Sequence, residues 1–266
     1  GRTMKLHRLC MLTLLTAGTA TADTICGNGP SAIPDGTGGS CSWTLQVDTP
    51  EPALVVSARV MMTVTHPWVG DLSCTLFAPD GTSVRLLDRV GMPDSGWIGP
   101  WGCGGDDILC LFDDSGATTA ENACELDVTP VLSGNLQPLD ALSTFTNRSA
   151  NGTWTAIFTD HSYVDAGTVG QLCLVLDTSP DCNGNGLPDA GDIADGTSDD
   201  VDGDGTPDEC QCMADIDGND RVDVTDLLTV IADWGCGTGC AGDIDGSGMV
   251  DVTDLLTVIS SWGDCT

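Results

Sequence analysis

Basic residues are almost missing from this 266-residue chain. Lys5 is the only lysine, and Lys and Arg together number 8 against 40 acidic residues, a formal charge of −32. Binding a phosphate backbone requires Lys and Arg, so the deficit excludes nucleic acid as a partner. It equally disfavours an anionic membrane surface. No apolar run is long enough to cross a bilayer. Neither H-E-x-x-H nor G-x-S-x-G occurs, and His66 and His161 are the only histidines beyond the first few residues. His66, ahead of Pro67 and Trp68, reads as a packing or turn-capping residue. The expectation from these absences is a protein that is not an enzyme. The excess negative charge instead favours cations, because self-repulsion on this scale opposes compaction unless bound ions offset it.

What the chain does have is aspartate, glycine and cysteine. Met4, Lys5 and Arg8 give a basic start, Leu9 to Leu15 an apolar segment, and Ala20-Thr21-Ala22 a small-residue cleavage site. Residues 1–22 therefore read as a secretory signal with a short N-terminal extension, which puts the protein outside the cell or at its surface. Export makes the 13 cysteines that follow Cys10 a disulfide framework with one thiol left over. Seven lie before residue 180 and six after it, which assigns the odd thiol to the first part. The pairings expected are Cys74 with Cys173 and Cys182 with Cys210.

Three pieces follow the signal. Residues 23–179 hold short runs rich in Val, Leu, Thr and aromatics: SWTLQV, ALVVSARVMMTV, DLSCTLFA, SVRLL, DILCLF, TWTAIF and TVGQLCLVL. Pro, Gly and Asp punctuate them, Pro79-Asp80-Gly81 as a turn signal, and no amphipathic helix is evident. The fold class expected is mainly β, a sandwich or jelly roll, with a small α-helical calcium-loop module behind it. Residues 180–211 are almost all Asp, Asn, Gly and Pro, too poor in large apolar residues for a core. Residues 212–266 contain VDVTDLLTVI twice, from Val222 and again from Val250. Leu227, Leu228, Val230, Ile231 and Trp234 follow helical spacing. Each helix is too short to stand alone, so two identical apolar faces are expected to bury each other. Gly235 and Gly263 sit where left-handed residues would close the helices.

An acid run precedes each copy. With Asp215 as position one of a twelve-residue loop, Asp217, Asn219, Asp223 and Asp226 fall at three, five, nine and twelve, and Arg221 supplies the carbonyl at seven. The second loop places Asp243, Asp245, Ser247, Asp251 and Asp254 likewise, with Met249 at seven and Gly248 at the sharp turn. This is EF-hand ligand order. Hard oxygen donors without His or Cys favour Ca²⁺ over zinc or copper. Asp220 stands where glycine is usual, a position that Asp tolerates at some cost.

The duplicated loop and exiting helix, DIDGNDRVDVTDLL and DIDGSGMVDVTDLL, resemble a type I dockerin. The resemblance implies two Ca²⁺ ions, a cohesin-like partner and a pseudo-twofold surface able to bind in two orientations. Val224-Thr225 and Val252-Thr253 replace the usual Ser-Thr recognition pair, and the helices lack the basic residues that often contact cohesin. DCNGNGLPDAGD and DVDGDGTPDE resemble thrombospondin type-3 calcium repeats. That implies further ligands at Asp181, Asn183, Asn185, Asp189 and Asp192, and at Asp200, Asp202, Asp204 and Asp208.

HPWVGDLSCTLFAPDGTSVRLL and NGTWTAIFTDHSYVDAGTVGQLCLVL resemble the P domain of proprotein convertases, which implies a β jelly roll over residues 40–177. Val69 replaces the Arg often found before Gly-Asp in that family. Calcium sites occur in some P domains, which makes Asp160 and Asp165 candidates; the preferred reading is that they are turn aspartates. Trp97 and Trp101, in a Gly-rich loop, either stack on sugar rings or pin the loop onto the sandwich, the latter preferred. The reading that unites these pieces is a secreted, non-catalytic, calcium-binding modular protein for attachment or assembly. A polysaccharide-binding protein and an accessory fragment of a secreted protease are the alternatives.

Overall fold

The computed structural model describes residues 21–27, 31–36, 39–92, 102–201, 203–219 and 221–265. The expected signal lies outside them except for Thr21 and Ala22, which open the first strand. Strands β1 (Thr21–Cys26), β2 (Ser31–Ile33), β3 (Gly39–Val47), β4 (Ala53–Thr65), β5 (Leu72–Phe77), β6 (Ser83–Asp88), β7 (Ile108–Phe112), β8 (Thr118–Thr119), β9 (Leu132–Gln137), β10 (Gly152–Asp160) and β11 (Gly167–Pro180) make two sheets. One runs β1-β11-β4-β7-β9-β8, with β2 also on β11; the other runs β3-β10-β5-β6. All seven expected runs are strands. The alternation that marked them follows the pleat: in β3, Trp43, Leu45 and Val47 are buried while the residues between them are exposed. The strands not anticipated are β1, β2, β8 and β9, which are short, or polar and glycine-bearing like LSGNLQ.

The inner faces of both sheets share one core. Trp154, fully buried on β10, meets Phe145 edge to face at 4.9 Å, and its indole N–H donates to Ala150 O at 2.9 Å. Pro79-Asp80-Gly81 makes the β5–β6 turn as read from the sequence. Gly81 takes φ +87°, and the Asp80 carboxylate accepts from Thr82 N.

The cysteine pairing departs from expectation in the first part. Cys173 bonds Cys26, its direct neighbour across β1–β11, and not Cys74; Cys103 bonds Cys124. Among the described residues three thiols remain free where one was expected: Cys41, Cys74 and Cys110. Cys41 and Cys74 both pair in register with Phe158, from opposite sides. They are thus two strands apart, about 9.6 Å, beyond disulfide reach. Burial pushes the Cys74 thiol well up and the Cys110 thiol to about 12.

Beyond Pro180 the chain turns through the helix α1 (Asp189–Asp195), closed by Gly196 in the left-handed region, an element that composition did not suggest. Cys182–Cys210 forms as expected. Then come β12 (Arg221–Val222), α2 (Val224–Ala232), α3 (Val252–Ser260) and β13 (Gly263–Asp264), with β12 pairing β13. A second, smaller core gathers Val222, Val230, Val250, Val258, Ala214 and Ile244. The helices end at Asp233 and Ser261 rather than at the glycines. Gly235 is left-handed at φ +75°, two residues past the cap. Among the described residues no helix is long and apolar enough to cross a membrane.

Two outcomes follow. Cys74 and Cys110 resist alkylation in the folded protein and react after guanidinium unfolding, while peptide mapping recovers Cys26–Cys173. Trp154→Ala lowers stability by about 3–5 kcal/mol in denaturant unfolding.

Candidate metal centre

Two acidic loops, 28 residues apart, have the same geometry. In the first, one carboxylate oxygen from each of Asp215, Asp217 and Asp226 lies within 4.8 Å of the others; in the second, Asp243, Asp245 and Asp254 do the same. These are positions one, three and twelve of the expected order. Position twelve organises each loop. Asp226 is fully buried, and its Oδ1 accepts from Ile216 N at 2.8 Å and Asp217 N at 3.3 Å, its Oδ2 from Asp223 N at 2.8 Å. Asp254 repeats this with Ile244, Asp245 and Asp251 at the same distances.

Position nine has a role that ligand order alone did not reveal. Asp223 and Asp251 are N-caps of α2 and α3, accepting from Thr225 N and Thr253 N at 2.7 Å. With Asp226 and Asp254 they complete capping boxes. The signal was present as D-x-x-D ahead of an apolar run. At position five, the Ser247 hydroxyl donates to the position-seven carbonyl of Met249 at 3.2 Å. Asn219 N donates to Asp215 Oδ1 at 3.1 Å, and Arg221 lies in β12. Asp220 falls outside the described residues, whereas Gly248, its counterpart, is left-handed at φ +87°.

The electrostatics of the loops fit a cation. Burial pushes Asp226 and Asp254 upward, but the backbone amides outweigh it and hold both carboxyls below the ordinary value. Asp217 is raised, by burial first and then by the charges of Asp226 and Asp215. Asp243 Oδ2 accepts from Gly248 N at 3.0 Å, while its Oδ1 is buried without a hydrogen-bond partner. An orphaned carboxylate oxygen of this kind, beside other carboxylates, could serve as a ligand to a hard cation.

The spacer residues are arranged differently. Asp181, Asp189 and Asp192 are buried. Asp181 accepts from Asn185 N and Gly186 N at 3.1 Å, Asp189 from Cys182 N at 2.9 Å, and Asp192 from the side-chain amides of Asn185 at 2.8 Å and Asn183 at 3.4 Å. The expected ligands thus bond one another. The only metal-type grouping there, among the described residues, is Cys182, Asp189 and Cys210, two of which form a disulfide. Asp200 accepts from Gly203 N and Asp204 N, Asp204 from Thr206 N and Gln211, and Asp208 from Val201 N. Asp202 lies outside the described residues.

In the sandwich, Asp160 is fully buried. It receives Ser162 N at 3.0 Å and faces His66 Nε2 at 3.4 Å, and His66 Nδ1 accepts from Trp68 N at 3.1 Å. His66 therefore caps its own turn. His161 Nε2 lies 2.8 Å from Ser73 Oγ. Trp97 and Trp101 lie outside the described residues.

The helix faces correct one expectation. Val230 and Val258 are buried and Leu227 and Leu255 half-buried, but Leu228, Ile231 and Trp234, with Leu256, Ile259 and Trp262, are 51–57% exposed. The two stripes do not cover each other. Each nine-residue helix turns only one edge of its apolar arc inward, into a small core that the two helices share with the loops.

A two-sheet β sandwich, a disulfide-tied acidic spacer and a pair of loop–helix units thus define the chain. Residues 55–97 match the proprotein convertase P-domain model. No curated protein matches the chain. The serine protease of Aeromonas sobria in complex with a chaperone is similar at 19% identity, covering 60% of this chain and 26% of that one, with a TM-score of 0.37. A second structure, of the serine protease of Aeromonas sobria, is similar at 18% identity, covering 59% of this chain and 26% of that one, with a TM-score of 0.35. This chain therefore spans about a quarter of the length of those proteins.

Asp226→Ala removes a cap partner, leaves three backbone N–H groups without their acceptor and costs about 1–3 kcal/mol, read as helix loss by circular dichroism. The contribution of Asp226 and Asp254, whose folded values are lowered, is present above the ordinary 3.8 and is lost as pH falls through the lowered values. Acid titration should therefore melt α2 and α3 below about pH 4.

Proposed function

We propose that this chain is an exported, non-catalytic, calcium-binding modular protein. Its C-terminal loop–helix pair docks onto a partner domain in extracellular attachment or assembly. The observation that carries the reading is the duplicated carboxylate cluster, with position twelve held by three amides in each copy and Asp243 Oδ1 left for an ion. Asp215, Asp217 and Asp226 hold one Ca²⁺, and Asp243, Asp245 and Asp254 the other. The bound ions offset the repulsion among these carboxylates, so ion binding and loop order are one equilibrium. Extracellular modules bind calcium at roughly 10⁻⁴ to 10⁻³ M, which the protein meets outside the cell. Five disulfides among the described residues fit that compartment.

The two exposed stripes support docking. Val224, Leu228, Ile231 and Trp234 repeat as Val252, Leu256, Ile259 and Trp262, so one partner surface of the cohesin type can take either stripe. Apolar stripes on so acidic a chain suit a partner with an apolar groove and a basic rim. A second reading, an accessory part of a secreted protease, is favoured by the P-domain match over residues 55–97.

Calorimetric calcium titration of the full chain is the test. Two ions bound per chain, with Asp215→Asn and Asp243→Asn each removing one, support the reading. Retention by an immobilised cohesin domain, lost on chelation or in Leu228→Asp with Leu256→Asp, supports the docking partner. No heat and no spectral change at millimolar calcium would sink the calcium reading and return the search to the sandwich.

A further inference from the structure

The two loop–helix units are joined differently on their two sides, although the bracing of each loop is the same. Val222, at position eight of the first loop, pairs with Gly263 behind α3. Val250, its equivalent, pairs with the segment behind α2: Gly235 N donates to Val250 O at 2.9 Å and Val250 N to Cys236 O at 3.0 Å. Each loop is therefore braced by the tail of the other unit's helix. The cysteines follow the same rule. Cys240 stands three residues before Asp243 and bonds Cys236, behind α2. Cys212 stands three residues before Asp215 and bonds Cys265, behind α3. Asp215 N and Asp243 N donate to Cys212 O and Cys240 O at 2.8 and 3.1 Å. The pair is a ring of two equal units.

The chain closes this ring on one side only. Between Cys236 and Cys240 the peptide runs across through three residues, a separation of four, so that disulfide adds a second link where one already exists. Between Cys212 and Cys265 the separation is 53 residues, and the disulfide is the only covalent closure. Closure entropy grows as three-halves of the logarithm of loop length, so the closing equilibrium scales as its three-halves power and the longer link weighs roughly 50-fold more. Its neighbours belong to the first loop: Cys265 Sγ lies 3.9 Å from Asp215 Oδ2, and Arg221 approaches Asp264 at 3.7 Å. Cys212 and Cys265 line a cavity of about 430 Å³ together with Glu209, Gln211, Asp264 and the Cys182–Cys210 disulfide, and it admits a small reductant.

We propose that Cys212–Cys265 is a redox latch on the first acidic loop alone. A dithiol opens it by two exchange steps, leaving Cys212 and Cys265 as thiols and itself as a cyclic disulfide. With the latch open, β13 leaves β12 and the Asp215 loop loses its brace, while the second loop keeps the brace that the chain itself supplies. The latch regulates the loops to which calcium was assigned above, and rests on that assignment only for its binding readout.

Hydrogen exchange on the full chain tests it, comparing the native protein with C212S/C265S and with C236S/C240S. The expected result is first-loop exchange faster by about tenfold or more in C212S/C265S, with second-loop exchange changed less than about threefold, and a small effect in C236S/C240S. Calcium titration should show the first site weakened and the second retained. Equal acceleration in both loops, or equal effects of the two double variants, would overturn the latch. Should no variant bind calcium, the calcium assignment fails, while the exchange asymmetry still decides the latch by itself.

Discussion

Carboxylates outnumber cationic side chains so heavily that the fold depends on backbone amides to hold them. Asp226 and Asp254 take three amides each, Asp181 two, and Asp114 those of Leu142 and Ser143. An amide is a fixed partner, delivered by the turn that presents it, and loses no side-chain entropy in the contact. The ion pairs that do form, such as Arg85 with Asp140 and Arg148 with Asp80, are half-exposed and contribute little. Turns therefore carry the charge of this chain, which is why glycine is so frequent beside aspartate in its C-terminal part.

The same constraint divides the molecule. The sandwich buries Trp154, Phe158, Phe112 and a continuous aliphatic interior, and the free thiols of Cys74 and Cys110 with it. The second core is small, built on valines with Ala214 and Ile244, and a cluster of that size needs staples. Disulfides supply them there, and ions add to them in the proposed function. The exposed stripes follow from the same constraint: each short helix gives one edge to the core that both helices and the loops share and keeps the rest of its apolar arc outward.

Much of this was legible in the residues. Alternation located seven strands because one face of each is buried, and the 28-residue duplication located both loops and both helices. What alternation missed were β1, β2, β8 and β9, too short or too polar to show a period. Ligand order identified Asp215, Asp217 and Asp226 and their repeats, which do converge. It also named the spacer residues, which in the structure satisfy one another, because Asn185 and Asn183 present their amide N–H groups to Asp192.

Spacing along the chain determined where elements lie, since period and duplication are one-dimensional properties. It also determined that acids would crowd in pairs of loops. Only the tertiary structure decided which cysteines meet, because Cys26 reaches Cys173 through strand register and Cys74 lies on the other sheet. It likewise decided that Asp223 and Asp251 cap helices, and that Leu228 and Leu256 face outward while Val230 and Val258 face in. An apolar residue at helical spacing can satisfy either a core or a partner, and only its neighbours across space choose between them.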